Sequence, residues 1–322
     1  MGPQSTDGFA AAVPAPPSVP APPPVPAPEP WHPVTVGVPG PEFEAQAPGQ
    51  YSYDFPDSEC DGWSNAMLTM RFASVRGARH RYYRQPRQDA VRAAVHETTG
   101  GLVFAVADGV SSASSAELGA IEACRAAVER TLDLLSARQQ PLDFVNVARH
   151  AAERLRQLAQ WRLGSAQPPE ESVVAGLYAT TLVVGAVRPD GDGCTVELCR
   201  IGDSGAWLME PATRRYQPLF PSKTGSDALL VTNEVAPLPR VPERLDGIST
   251  PLVPGRVLLV GTDGFGDPLG DGDGQVGALF AGQLAVPPPP LWFGHLLDFS
   301  RETFDDDRSL LAVWPRTPAA PR

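Results

Sequence analysis

Five aspartates fall where apolar stretches begin or end. Asp89 opens DAVRAAV, Asp108 closes VFAVAD, Asp203 closes ELCRIGD, Asp263 closes RVLLVGTD, and Asp306 stands in DDDRSLLAVW. Asp305 and Asp307 flank the last of these, and either takes its place by a one-residue shift. Carboxylates at strand ends can converge on one sheet edge, and the glycines at 109 and 264 let backbone approach a ligand closely. A single Asp-Gly pair is an ordinary turn; the repetition sets this chain apart. Two carboxylates about 4 Å apart repel by about 4 kcal/mol at an effective dielectric near 20, so a converged set must take up protons or cations. Oxygen ligands without accompanying Cys or His suit Mg²⁺ or Mn²⁺. Two such ions about 3.5–4 Å apart can activate a water and neutralise a phosphoryl group during in-line attack.

The elements that must position these acids follow from periodicity. Residues 67–77 and 101–108 read as strands, the second deeply buried. SSAELGAIEACRAAVERTLDLL reads as a helix that Ser114 or Ser115 would cap, and 141–162 as a second, with Phe144, Val147, Ala151, Leu155 and Leu158 on one face. VVAGLYATTLVVGAV, 173–187, is β-branched and reads as a strand. So do 195–203 and 205–210, around a tight GDSG bend, then 255–267, ending in acid, and 308–314. Short connections require antiparallel pairing. The fold class expected is α+β, a sandwich of two mainly antiparallel sheets with helices outside. A purely parallel dinucleotide-binding fold fits poorly, because regular strand–helix alternation and its glycine fingerprint are both missing.

Eleven of the first thirty residues are proline, so 1–48 reads as an extended Pro/Ala-rich tether. Residues 49–65 read as a linker or edge segment, 66–318 as the folded domain, and 217–250 as an irregular surface insertion. A net charge of −11 with no basic stripe argues against nucleic acid. Cys60, Cys124, Cys194 and Cys199 lack metal-ligand spacing and read as reduced thiols. No signal peptide and no span of about 18 apolar residues is evident, so a cytoplasmic protein without membrane insertion is expected.

Other reactive-looking residues carry less. The serines at 111, 112, 114 and 115 have no recognisable base and read as loop or cap residues. His80 reads as a packing or hydrogen-bonding group, and Thr180 and Thr181 as strand residues ordering the site from behind. DGDG at 271–274 lacks the twelve-position calcium pattern and reads as a solvated turn.

Six segments, GARHRYYRQPRQDA, VADGVSSASSAELGA, YATTLVV, RIGDSGAWL, LLVGTDGFGD and DDDRSLLAVW, occur in an order and spacing that resembles the metal-dependent Ser/Thr protein phosphatases of the PP2C family. They span about 77–314, and the likeness is greatest to divergent bacterial members. The resemblance implies a four-layer α-β-β-α sandwich. It also implies two core Mn²⁺ or Mg²⁺ ions, with Asp108 bridging them, the Gly109 carbonyl completing one shell, and Asp89, Asp263 and Asp306 at the remaining positions. Asp203 and Asp267, with Asp263, would help bind a labile third ion. Arg84, five residues before Asp89, falls where the family's arginine clamps substrate phosphate; Arg79, Arg81 and Arg87 are the neighbouring alternatives. Three departures stand out. Gln88 replaces an acid, Gly205 replaces the arginine of GDSR, and the 217–250 segment does not follow the family's usual flap.

The implied activity is hydrolysis of phosphoserine or phosphothreonine in proteins by direct water attack, on substrates such as those of a Ser/Thr kinase. Two other readings stay open: a regulatory pseudophosphatase that binds phosphoproteins with little turnover, and a hydrolase of small phosphoesters.

Overall fold

Alternation along the strands is read out by the packing. In β4 (Gly101–Asp108), Leu102, Phe104 and Val106 enter one core cluster, while Val103, Ala105 and Ala107 enter another. In β11 (Arg308–Pro315), Leu311 and Val313 join the first of these clusters, and Leu310 and Ala312 a third. Two sheets therefore share a central core, and each packs a second core on its outer face. The computed structural model describes residues 31–49, 54–191, 193–221, 236–245 and 247–316. The chain divides into Met1–His32 and a main unit, Pro33–Arg322, to which everything below refers.

One sheet has the order β1 (Ser58–Ser64), β2 (Leu68–Val75), β11, β10 (Val257–Gly261), β7 (Gly205–Glu210), β8 (Arg215–Pro218). The other runs β3 (Asp89–His96), β4, β5 (Leu182–Asp190), β6 (Gly193–Ile201), β9 (Ile248–Leu252). Every neighbouring pair is antiparallel. Helices α2 (Ala116–Ser136) and α3 (Phe144–Leu163) cover the five-stranded sheet. Helices α5 (Asp263–Leu269), α6 (Gln275–Gln283) and α7 (Pro290–Leu297) cover the six-stranded one, through Phe265, Phe280 and Phe293. This is the four-layer α-β-β-α sandwich.

Three local expectations are corrected. Residues 173–187 are not one strand: α4 (Glu171–Tyr178) precedes β5. Val174 and Tyr178, one turn apart, are buried, while Val173 is exposed, so helical spacing overrides the β-branched composition. The stretch 255–267 likewise splits, because Asp263 starts α5 instead of ending a strand. Ser115 stands at the N-cap of α2 but makes no side-chain cap; its hydroxyl instead accepts from Arg162 at 2.6 Å. Much of the 217–250 insertion, 222–235 and 246, lies outside the described residues.

Residues 33–49, the end of the expected tether and the first residue of the expected linker, lie along the domain as a strap. Thr35 bridges Ser300, and Val36 is buried in the outer core. The amides of Gln46 and Gly49 donate to the carbonyls of Arg81 and Arg84 at 3.2 and 3.1 Å, satisfying the C-terminal end of α1 (Ala78–Tyr83). Phe43 meets Tyr82 edge-on at 5.6 Å. Residues 58–64, within the expected linker or edge segment, form edge strand β1.

Candidate metal centre

The β3–β4 register sets Asp89 directly opposite Asp108, so two carboxyl-bearing residues end the same pair of strands side by side. The backbone of Asp108 is held on both polar groups. Its amide donates to Thr181 Oγ1 (2.9 Å), and its carbonyl accepts from the Thr181 amide and Thr180 Oγ1 (both 2.8 Å). Thr181 Oγ1 also meets Ser204 Oγ at 2.9 Å, tying the β6–β7 turn that carries Asp203 to the same edge. The threonine pair thus holds the backbone of Asp108.

The second sheet contributes from its matching edge. Thr262, between β10 and α5, donates its hydroxyl to Asp89 Oδ2 at 2.8 Å and accepts from the Ser309 amide at 3.0 Å. One buried hydroxyl therefore links the first acidic segment to the last, and Asp263 follows it directly. Asp267 stands one turn along α5 on the same face. Gly109 carries no side chain for a steric reason: a Cβ there would lie 2.6 Å from the Ala116 carbonyl at the start of α2.

Electrostatics report the convergence. Asp89 is buried, and its pKa stands well above the ordinary 3.8, through burial and then the charges of Asp307, Asp263 and Asp306, against the Thr262 bond. Asp108 is raised likewise, by burial, by the Asp89 and Asp263 charges and by a hydrogen bond with Asp263. Asp263 is raised by burial and by the charges of Asp203, Asp267 and Asp306, although the Asp108 bond opposes the shift. Asp89 and Asp108 are thus register partners, and Thr262 ties Asp89 to the segments that carry Asp263 and Asp306; among the described residues only the trio His80, Asp306 and Asp307 has ligand atoms all within 4.8 Å of one another.

Asp307, missed as more than a register alternative, organises the corner beneath. It is 3 % exposed. It accepts from the amides of Gly77 (2.6 Å) and Gln88 (2.5 Å) and pairs with His80 Nδ1 at 2.8 Å. Burial alone would lower the His80 pKa; the Asp307 bond and charge, then Asp306, reverse this and hold it above 6.5. His80, Asp306 and Asp307 each offer a ligand atom, all within 4.8 Å of one another, so this corner could hold a divalent ion. Two backbone amides already occupy Asp307, which favours Asp306, the more exposed of the pair, as the ligand and Asp307 as its support. The signal for Asp307 was its place in a triple-Asp run; nothing in the sequence tied His80 to it.

The arginines separate by partner. Arg87 is buried, donates to the carbonyls of Pro56, Ser74 and Asp89, and pairs with Glu59 at 2.9 Å. Arg81 pairs with Asp57 and Asp298. Both are committed to structure. Arg84 is exposed, in the left-handed region at φ 61°, with Nε 3.4 Å from the Ala47 carbonyl of the strap. In this geometry its side chain meets the strap.

The donor set fits hard divalent cations. It is all oxygen apart from His80, several members repel one another, and Gln88 Oε1 is buried beside it without a hydrogen-bond partner.

Residues 76–285 match the family described as protein phosphatase 2C, and the chain belongs to that family. It is similar to the crystal structure of a bacterial serine phosphatase, at 15% identity and a TM-score of 0.54, over 78% of this chain and 99% of that one. A form of a bacterial serine phosphatase with one arginine replaced by lysine aligns at 14% identity and a TM-score of 0.52, over 78% and 99%. Identities this low speak to the fold alone. No curated protein matches the sequence. No helix among the described residues is long and apolar enough to cross a membrane.

Proposed function

We propose that this chain is a metal-dependent phosphatase that hydrolyses phosphoserine and phosphothreonine in proteins. The observation that carries the reading is the strand register that sets Asp89 opposite Asp108 while Thr262, bonded to Asp89, leads directly into Asp263; burial raises all three carboxyls, as expected of a site built for cations. Asp89, Asp108, Asp263 and Asp306, with the Gly109 carbonyl, would hold two Mn²⁺ or Mg²⁺ ions, and Asp203 and Asp267 would join Asp263 at a labile third. When bound, the ions supply charge neutralisation for the phosphoryl group and a water activated for in-line attack.

The chain's own groups do the rest. Thr262 fixes the Asp89 carboxylate, and Thr180 and Thr181 fix the Asp108 backbone, so the acids meet their ligand without reorganising. Asp307, held by two amides and His80, keeps Asp306 in register. Arg84, released from the Ala47 carbonyl, would grip two phosphate oxygens with its planar guanidinium. The serines after Asp108 need play no nucleophilic part, since direct attack forms no phosphoenzyme. A cytoplasmic site of action and phosphorylated protein partners belong to the same reading.

The test is manganese-dependent phosphate release from a phosphothreonine peptide, compared between the natural chain and Asp108→Asn. Loss of turnover in a folded variant supports the reading, and full manganese-dependent turnover in it overturns the reading. Stoichiometric peptide binding by the natural chain without release would instead identify a regulatory pseudophosphatase, which Gln88 and the strap contact of Arg84 favour.

A further inference from the structure

The substitution of glycine for arginine at 205 has a steric counterpart. A Cβ at Gly205 would overlap the outer ring of Trp207, and one at Gly266 would lie 3.1 Å from the same ring. A Cβ at Gly272 would likewise overlap the Tyr216 ring. Gly272 takes φ +86°, and Tyr216 is anchored by its hydroxyl donating to the Gly277 carbonyl at 2.8 Å. Gly205 and Gly266 thus leave room for the Trp207 ring, and Gly272, within the turn at 271–274, for the Tyr216 ring. Trp207 is braced from behind by Phe265, edge-on at 5.8 Å.

These two rings line a cleft of about 450 Å³ that also contains Asp203, Asp263 and Asp267, so it adjoins the acids on the Asp263 side. Asp271 stands in the same lining, is exposed, and lies outside the set that would hold metal. Arg200, which also lines the cleft, is stacked on Phe220 at 4.8 Å and donates to the Pro221 carbonyl.

We propose that this cleft receives a basic side chain, arginine or lysine, that neighbours the phosphorylated residue of a protein substrate. The inference rests on the phosphatase reading above and adds a substrate preference to it. Aromatic walls attract a cation through their ring quadrupoles, and a carboxylate that is not spent on metal supplies the complementary charge. A neutral apolar side chain would gain only the walls, and an acidic one would face Asp271. Continuity with the acids puts the bound side chain within a residue or two of the phosphate.

The experiment uses the full chain with Mn²⁺ and phosphothreonine peptides that differ only in having Arg, Leu or Glu at the flanking positions. The expected result is a kcat/KM about tenfold higher for the best-placed Arg than for Leu, and lower again for Glu. Asp271→Asn should lose most of that preference, as should Trp207→Leu, while hydrolysis of para-nitrophenyl phosphate is unchanged. Asp271→Asn alters only an exposed side chain, so it remains informative should Trp207→Leu fail to fold. Equal rates with Arg and Leu, or a preference that survives in Asp271→Asn, overturn the proposal. Absence of manganese-dependent turnover of para-nitrophenyl phosphate would count against the phosphatase reading itself. Calorimetric titration of the same peptides would then decide the cleft separately: tighter binding of the Arg peptide supports it, and equal binding overturns it.

Discussion

Asp89 and Asp108 are direct partners in the β3–β4 ladder, each at the end of its strand, where the sheet stops and the acid cluster begins. A pair of acids at matched register is a poor choice for a sheet, since like charges directly opposite destabilise it. In Asp108→Asn, one repelling carboxyl is gone. The metal-free variant should melt about 2–4 °C higher, the response of a domain this size to about 1 kcal/mol. Its manganese-dependent turnover should fall at least about 100-fold. Thermal melts in chelator, run beside a phosphate-release assay, check both halves.

The raised groups give the metal-free protein a defined pH dependence. Carboxyls held above 3.8 contribute stability that is complete below that value and is lost as pH rises through their folded values. His80, held above 6.5, acts in the same direction: its contribution is full below 6.5 and disappears above its folded value. With chelator, Tm should therefore decline from about pH 5 to pH 8. Added Mn²⁺ should raise Tm more at the alkaline end, because ligands must shed protons to bind. A metal-induced shift independent of pH would contradict this.

Asp307 separates support from ligation. Asp307→Ala strands two buried amides and His80, which should cost about 2–4 kcal/mol and lower Tm by about 5–10 °C even in chelator. Asp306→Ala should leave the chelator Tm nearly unchanged and instead reduce stabilisation by Mn²⁺. Melting the two variants with and without metal distinguishes the roles.

Arg84 and Arg87, three residues apart, should respond oppositely. Arg84→Ala should reduce kcat/KM for a phosphopeptide by about 10–100-fold with little change in stability, as expected for a lost charge-assisted contact to phosphate. Arg87→Ala leaves Glu59 without its closest cation and empties a buried site, so stability should fall first. Steady-state kinetics and denaturant unfolding on both variants test the contrast.

The acids were legible because strand ends are: an apolar run that stops at Asp108 or just before Asp263 marks both the strand and its edge. The sandwich followed from the same runs and their short connections. Helix α4 was hidden because Val173 and Val174 favour strands in isolation, and only burial against α2 and α3 selects the helix. The pairing of His80 with Asp307 joins residues more than 200 positions apart, beyond the reach of any local pattern. Thr262 was visible in GTDG, yet its link between Asp89 and Ser309 depends on two sheets meeting.

The strap has a practical consequence for where the domain can be cut. Strand counting would start the folded unit at Ser58, and a chain trimmed there looks complete. It would nevertheless leave the Arg81 and Arg84 carbonyls uncapped and the seat of Val36 empty beside Phe299. The loop bearing Arg84 thus takes part of its hydrogen bonding from residues 46–49, upstream of the first strand.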